Sequence, residues 1–399
     1  MSENDVSATM TTTATATAMS LAFQLPDRLA YSGEHDLLRT TARRVLGERC
    51  PARELRRLAA DPTGFDRALW RELSELGWPG LHLSERVGGA GLDHLSMALV
   101  LEEAGRVLYP GPLLTTALGG LAVARASAPE QAARLLPDIA AGRTIASLAL
   151  VEGADSWELD AVAAAAEPVE EGYLLHGEKV HVAWAEVADL LVAPFRWEGG
   201  ISLFAVPLAG ERIAIEPEVP LDPTRRLARV RLDGARVPAD ARLLGAAGGA
   251  VLHDLLAPAL AYLAAEMVGA AGAALDMTCA YARERVQFDR PIGAFQAVKH
   301  PLVDVLIAVE RARSLALGAA AALSHAPDHA LRAARMAKVA AEEALLGACD
   351  RAVQLHGGFG FTWDCDAHFY YKRAKQNDAM LGYQGQQRRR LADLVLDPA

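Results

Sequence analysis

At 399 residues the chain is long enough for two or three domains with a sizeable core. Apolar residues make up 52% and charged residues 23%, a globular composition rather than a disordered one. The formal charge of −10 argues against non-specific nucleic-acid binding, and no run of 18 or more clean apolar residues appears, so no membrane span is expected.

The chain opens with MSENDVSATMTTTATATAMSLAFQL. This Thr/Ala tract lacks the cationic region and apolar core of a secretory signal, and it carries acidic residues and no Arg, unlike a mitochondrial presequence. Residues 1–30 are expected to be a disordered tail, or in part an overlong gene start with Met10 or Met19 as the true start. Residues 31–143 follow as a helical domain. HDLLRTTARRVLGERC carries apolar residues at helical spacing, and FDRALWRELSELGWPG ends on a Gly-Trp-Pro-Gly stop. Between 144 and 247 short β-branched runs such as GYLLHGEKVHVAW, ADLLVAPF and ISLFAVPL alternate with Gly, Pro and acidic turns. They read as an antiparallel β-domain, a barrel or sandwich.

Residues 248–399 are helical again, in four long segments near 251–285, 296–325, 328–356 and 366–395. Short connections between long apolar-striped helices predict an antiparallel four-helix bundle. The fold class is therefore α+β multidomain: helical domain, β-domain, bundle. Cys50, Cys279, Cys349 and Cys365 show neither CxxC nor metal spacing and read as reduced thiols of a cytoplasmic protein. The basic run QQRRR (386–390) reads as a solvated helix end.

Two bundle segments carry chemistry. YARERVQFDRPIGAFQAVKH (281–300) offers a fixed cation at Arg285, an aromatic at Phe288, a rigid Pro291-Ile292-Gly293 turn, and amides at Gln287 and Gln296. A guanidinium suits a pyrophosphate, and an aromatic ring suits a nucleobase or flavin. The same segment reads equally as an ordinary interhelical turn. In QLHGGFGF (354–361), Gln354 precedes Gly357, Gly358 and Gly360. Glycines there let the backbone turn through positive φ and let something large come close.

Together with the three-block order, these segments resemble the acyl-CoA dehydrogenase family. RVQFDRPIGAFQ is similar to its RxxFGxxIxxFQ element and VQLHGGFGF to its QxxGGxG element. LSELGWPGLHLSERVGGAGLDHLSMALVLEEAGRVL is similar to its N-terminal block and GYLLHGEKVHVAWAEVADLLV to its β-domain, so the likeness runs from about residue 34 to 395. The resemblance implies FAD at a subunit interface in a dimer of dimers. It implies α,β-desaturation of an acyl-CoA, with a carboxylate taking the α-proton, flavin N5 taking the β-hydride, and an acceptor such as an electron-transfer flavoprotein. It also implies that Arg285, Gln287, Phe288, Gln296, Gln354, Gly357 and Gly358 reach the adenosine and pyrophosphate of a neighbouring chain's FAD.

The chain departs from that pattern where the proton should go. The usual Glu of the last helix falls on Gly382, or on Gln384 if GYQGQ sets the alignment, and the alternative position on the first bundle helix is Ala259. None can accept a proton at neutral pH. Glu266, two turns on, is a weak candidate: it lies roughly 10 Å along the helix, whereas a base must come within about 3 Å of its proton. At the flavin-facing sheet, Val151 and Ala183 stand where hydroxyls are usual, His181 where a Trp is usual, and Trp184 next to them. Asp289 replaces a Gly beside the pyrophosphate element.

Several readings stay open. The chain is a base-lacking subunit that completes a related partner's FAD site in a heterotetramer, as in actinobacterial enzymes for steroid side chains, which KRAKQNDAMLG and RRRLADLVL resemble. It is a self-sufficient homotetramer using Glu266 or His181. Or it is a flavin monooxygenase, or a non-enzymatic binding protein, on the same fold.

Overall fold

The computed structural model describes residues 31–153, 157–159 and 161–396; the expected tail lies outside them. Six helices come first: α1 (Gly33–Arg49), α2 (Ala52–Ala60), α3 (Arg67–Glu75), α4 (His94–Arg106), α5 (Leu113–Ala126) and α6 (Pro129–Ala140). Asp66 caps α3 through the amides of Ala68 and Leu69, and Asp93 caps α4 through the amide of Ser96. Each satisfies helix-start N–H groups that would otherwise lack partners.

Seven strands follow: β1 (Ala146–Leu148), β2 (Ala165–Val169), β3 (Gly172–Ala183), β4 (Leu190–Trp197), β5 (Gly200–Pro207), β6 (Ile213–Pro217) and β7 (Leu227–Pro238). They form one mixed sheet in the order β1-β4-β2-β3-β7-β6, with β5 on β4. Most pairings are antiparallel, as expected, but β4 pairs in parallel with both β1 and β2. Parallel neighbours need a long connection, and the intervening β2–β3 hairpin supplies it between β1 and β4.

The bundle comprises α7 (Gly248–Glu284), α8 (Gln296–His325), α9 (Pro327–His356), α10 (Ala367–Ala379) and α11 (Gln384–Leu396). A small hairpin, β8 (Val286–Gln287) with β9 (Arg290–Pro291), links α7 to α8. The fourth expected segment is two helices, because Leu381 and Gly382 take φ of 59° and 92° between them. Left-handed backbone cannot continue a right-handed helix.

α7 is the axis of the molecule. It is long and apolar enough to cross a membrane by length and composition, yet that 18-residue stretch is wholly buried here, between the helical domain and the bundle. Close approach to α4 depends on two glycines: a Cβ on Gly105 would lie 1.9 Å from the Glu266 carbonyl oxygen, and one on Gly269 1.8 Å from that of Glu102.

Beside this crossing, His94 Nδ1 lies 2.6 Å from the Tyr262 hydroxyl, and the His82 and His94 rings are 5.9 Å apart. Burial, with Arg125 adding to it, pulls His94 down to about 4; burial and His94 pull His82 down to about 3. The unfolded imidazoles take a proton near 6.5, so unfolding binds extra protons below that value and stability falls with pH. We expect the melting temperature to drop between pH 7 and pH 4, with a flatter slope in His94→Gln, measured by calorimetry.

Candidate functional site

Four charged side chains meet where the sheet joins the bundle. Asp222 and Arg225 come from the β6–β7 loop, Glu266 from α7 and Arg373 from α10, and all four are buried. Arg373 pairs with Asp222 through Nε and with Glu266 through Nη1 at 2.6 Å; Arg225 pairs with the same Glu266 oxygen. Neutral groups complete the set: Thr224 Oγ1 accepts from Arg373 at 2.8 Å, Asn377 Oδ1 from Arg225 at 2.7 Å, and Gln376 Oε1 from the Asp222 amide at 2.9 Å. Burial works against the Asp222 charge, but Arg373 and Thr224 outweigh it and hold the carboxyl below its ordinary value. Burial also lowers Arg225, with Glu266 opposing. For Arg373, Asp222 and Glu266 overcome burial and raise it.

Arg225 and Glu266 of this cluster form one polar end of a cavity. Its walls are mainly apolar: Leu101, Leu114, Leu118, Leu148, Leu150 and Leu263, with Ala259, Ala183 and Trp184. Ala259 and Glu266 thus line one cavity, but the Glu266 oxygen nearest the arginines already serves two guanidiniums. Taking a proton would forfeit both ion pairs, which makes this carboxylate a counter-ion by geometry. Gly382 has φ 92°, and a Cβ there would meet Gln386 Oε1 at 2.5 Å; Gln384 begins α11. His181, at φ 54° in a bulge of β3, holds Glu218 Oε2 at 2.7 Å through Nδ1.

Glu152, which follows β1, is held by a buried cation. Lys179 is fully buried and donates to Glu152 Oε1 at 2.5 Å and to the Pro194 carbonyl at 2.7 Å. Burial lowers its ammonium, with Glu152 opposing. Val151, beside Glu152, is 2% exposed and offers only methyl groups.

The second feature lies on the bundle surface. Tyr281, near the end of α7, stacks on His356, the last residue of α9, at 4.2 Å between ring centroids. That stack brings the two sequence motifs together. Phe288 and Asp289, both at positive φ, make the two-residue turn of the β8–β9 hairpin. Phe288 is 85% exposed, and Phe295 packs under it at 6.1 Å with Arg290 over the Phe295 ring. Arg285, Gln296 and Gln354 are exposed, and the Arg285 guanidinium has no ion-pair partner among the described residues. Gln287 is exposed too, its Nε2 donating to the Val286 carbonyl. A Cβ on Gly357 or Gly358 would meet nothing of this chain. The surface is thus an outward cradle with a free cation, amides and bare backbone.

Among the described residues no group of three His, Cys, Asp or Glu could hold a metal ion. All four cysteines are unpaired. Asp222, Arg225 and Arg373 escaped the sequence reading. Nothing in DPTRR distinguishes a buried pair from a solvated loop; only the unusual density of charge in KRAK on an inward-facing helix hints at it.

Helical domain, mixed sheet and bundle, with a mainly apolar cavity between sheet and bundle, make up the architecture of the acyl-CoA dehydrogenases. The chain belongs to the acyl-CoA dehydrogenase family: residues 32–143 match its N-terminal domain and residues 247–396 its C-terminal domain. It is 34% identical to acyl-CoA dehydrogenase IpdE2 of Mycobacterium tuberculosis over 349 residues, 87% of this chain and 93% of that one. Among solved structures it is similar to the ChsE4-ChsE5 complex from Mycobacterium tuberculosis, with a TM-score of 0.85 and 29% identity over 93% of this chain and 100% of that one. It is similar also to a Tcur3481-Tcur3483 steroid ACAD variant, with a TM-score of 0.82 and 33% identity over 91% and 98%.

Removing one member of a buried ion cluster strands the others, at a cost of about 3–5 kcal/mol. Arg373→Met should lower stability by that order in urea titration, and Glu266→Gln should also destabilise. A melting temperature unchanged in both would show that the cluster does not hold sheet to bundle.

Proposed function

We propose that this chain is the base-lacking subunit of a heterotetrameric acyl-CoA dehydrogenase, which completes the FAD site of a related, catalytic partner. The observation that carries this reading is an asymmetry within one chain. Groups suited to a dinucleotide tail stand free on the surface, while Glu266, the one carboxylate among the described residues lining the cavity, is held by two arginines.

The cradle fits the adenosine and pyrophosphate of FAD. Arg285 would pair with the pyrophosphate, Phe288 would flank the adenine, and Gln287, Gln296 and Gln354 would bond the ribose and base edge. Gly357 and Gly358 let the tail lie against the backbone. Asp289 takes part in the same turn, at φ 60°, and is exposed. When bound, FAD supplies the two-electron acceptor for desaturation. The α-proton must then leave through a carboxylate of the partner, because Gly382, Gln384 and Ala259 provide none here. An acyl-CoA is the substrate by family. A steroid or other bulky acyl group is the class we favour, since one similar structure is a steroid ACAD and one is a heteromeric complex. The buried or half-buried unpaired thiols accord with a cytoplasmic setting.

Expression of the chain alone and together with an acyl-CoA dehydrogenase encoded beside it tests the assignment. Acyl-CoA-dependent dye reduction should appear only on co-expression. Turnover by the lone chain that vanishes in Glu266→Gln would instead establish an atypical base, and NADH- and oxygen-dependent hydroxylation with a flavin reductase would establish a monooxygenase. Within the active pair, Arg285→Gln should weaken flavin retention roughly tenfold or more, as loss of a charge-assisted phosphate contact requires, with the partner's base untouched.

A further inference from the structure

Near its start, α10 carries a polar side chain that no part of the described chain satisfies. His368 is 7% exposed, and both of its ring nitrogens are buried without a hydrogen-bond partner. A buried donor or acceptor left unmade is costly, and few survive in folded proteins. The ring is one wall of a cavity of about 180 Å³. The other walls are Val353 of α9, Phe361 and Trp363 of the α9–α10 connection, and Tyr371 and Lys372 of α10. His368, Tyr371 and Lys372 are spaced i, i+3 and i+4, so they share one face of the helix. None of the six lines the sheet–bundle cavity or belongs to the surface cradle.

The walls have a definite chemistry. Trp363 stands edge-on to His368 at 4.9 Å between ring centroids. The Lys372 ammonium lies 4.7 Å from the Trp363 ring centroid and has no ion-pair partner among the described residues. The connection that carries the aromatic side chains is tied down: Arg56 of α2 donates to the Asp364 carbonyl at 2.9 Å and pairs with Asp366 at 2.6 Å. Trp363 is nonetheless 66% exposed and Phe361 72%, so a fixed loop holds aromatic surface out toward water. Burial, with Lys372 and Arg56 adding to it, pulls His368 down to about 4. The imidazole is therefore neutral near pH 7 and offers one N–H donor and one acceptor. Two cations and an N–H around one cavity favour an anion. The cavity is also the size of a single ring, since about 150 Å³ admits benzene.

We propose that this cavity binds a small aromatic carboxylate, whose acid group pairs with Lys372 and accepts from the His368 N–H while its ring packs among Phe361, Trp363 and Tyr371. A cation of the same shape would meet the charges of Lys372 and Arg56 and be repelled. An acid without a ring would leave the aromatic walls uncovered. The site goes beyond the partner-subunit reading and uses none of the residues on which that reading rests.

The test is a titration of the full-length chain with benzoate, followed by saturation-transfer NMR and calorimetry. Benzoate should bind saturably at one site per chain. Benzamidine, a planar cation of the same size, and acetate, which has no ring, should bind at least tenfold more weakly. Lys372→Met should weaken benzoate at least tenfold, and His368→Leu should weaken it too. Thermal melting checks that both variants fold, and the half-buried Lys372→Met decides the matter if His368→Leu does not. ADP, a probe of the surface cradle, should leave benzoate bound. The inference is overturned if the wild-type chain shows no saturable benzoate binding, if benzamidine binds as tightly, if Lys372→Met binds benzoate unchanged, or if ADP displaces it.

Discussion

The structure depends on a neutral knot of two guanidiniums and two carboxylates buried between three elements. Asp222 and Arg225 reach it from the sheet, Glu266 from α7 and Arg373 from α10. A charge in that position is tolerable only while every other member is present, because burying an unpaired ion costs far more than burying a pair. The knot therefore couples the position of the β6–β7 loop to that of the bundle, and the cavity between them inherits its shape from the coupling.

The same knot decides the chemistry. Glu266 is the carboxylate nearest to being a base, and it lines the cavity. Its Oε1 is used as structural counter-ion to Arg225 and Arg373. The left-handed corner at Leu381 and Gly382, where the usual carboxylate would stand, is closed by Gln386. Ala183 and Trp184 line the same cavity with a methyl group and an indole. The outer face of the bundle is the reverse: Arg285, Gln296 and Gln354 are exposed with bare glycines beside them. Loss inside and retention outside is the asymmetry on which the proposed partner-subunit role rests.

Legibility in the sequence followed the range of the forces involved. Helical periodicity marked the first domain and the bundle because each amphipathic stripe is written in consecutive turns. Strand alternation marked the sheet, but two parallel pairings of β4 were invisible, since they join segments far apart in the chain. The last bundle segment reads as one helix; its break is a φ reversal at Leu381 and Gly382, of which only the glycine carries a turn signal. Arg285, Phe288 and the glycine run stand out because they lie in short contiguous motifs.

By itself, then, the amino-acid order determined the three blocks, the two cradle segments and the absence of a carboxylate at 382, 384 and 259, all of which are local in the chain. Only the tertiary structure decided that Glu266 is held by two arginines, that Tyr281 and His356 bring the two motif segments together, and that Trp184 is buried beside the cavity against Phe65. Those outcomes depend on which distant side chains share a buried volume, and the energy of a buried charge or a filled cavity is a property of that shared volume and not of either neighbour along the chain.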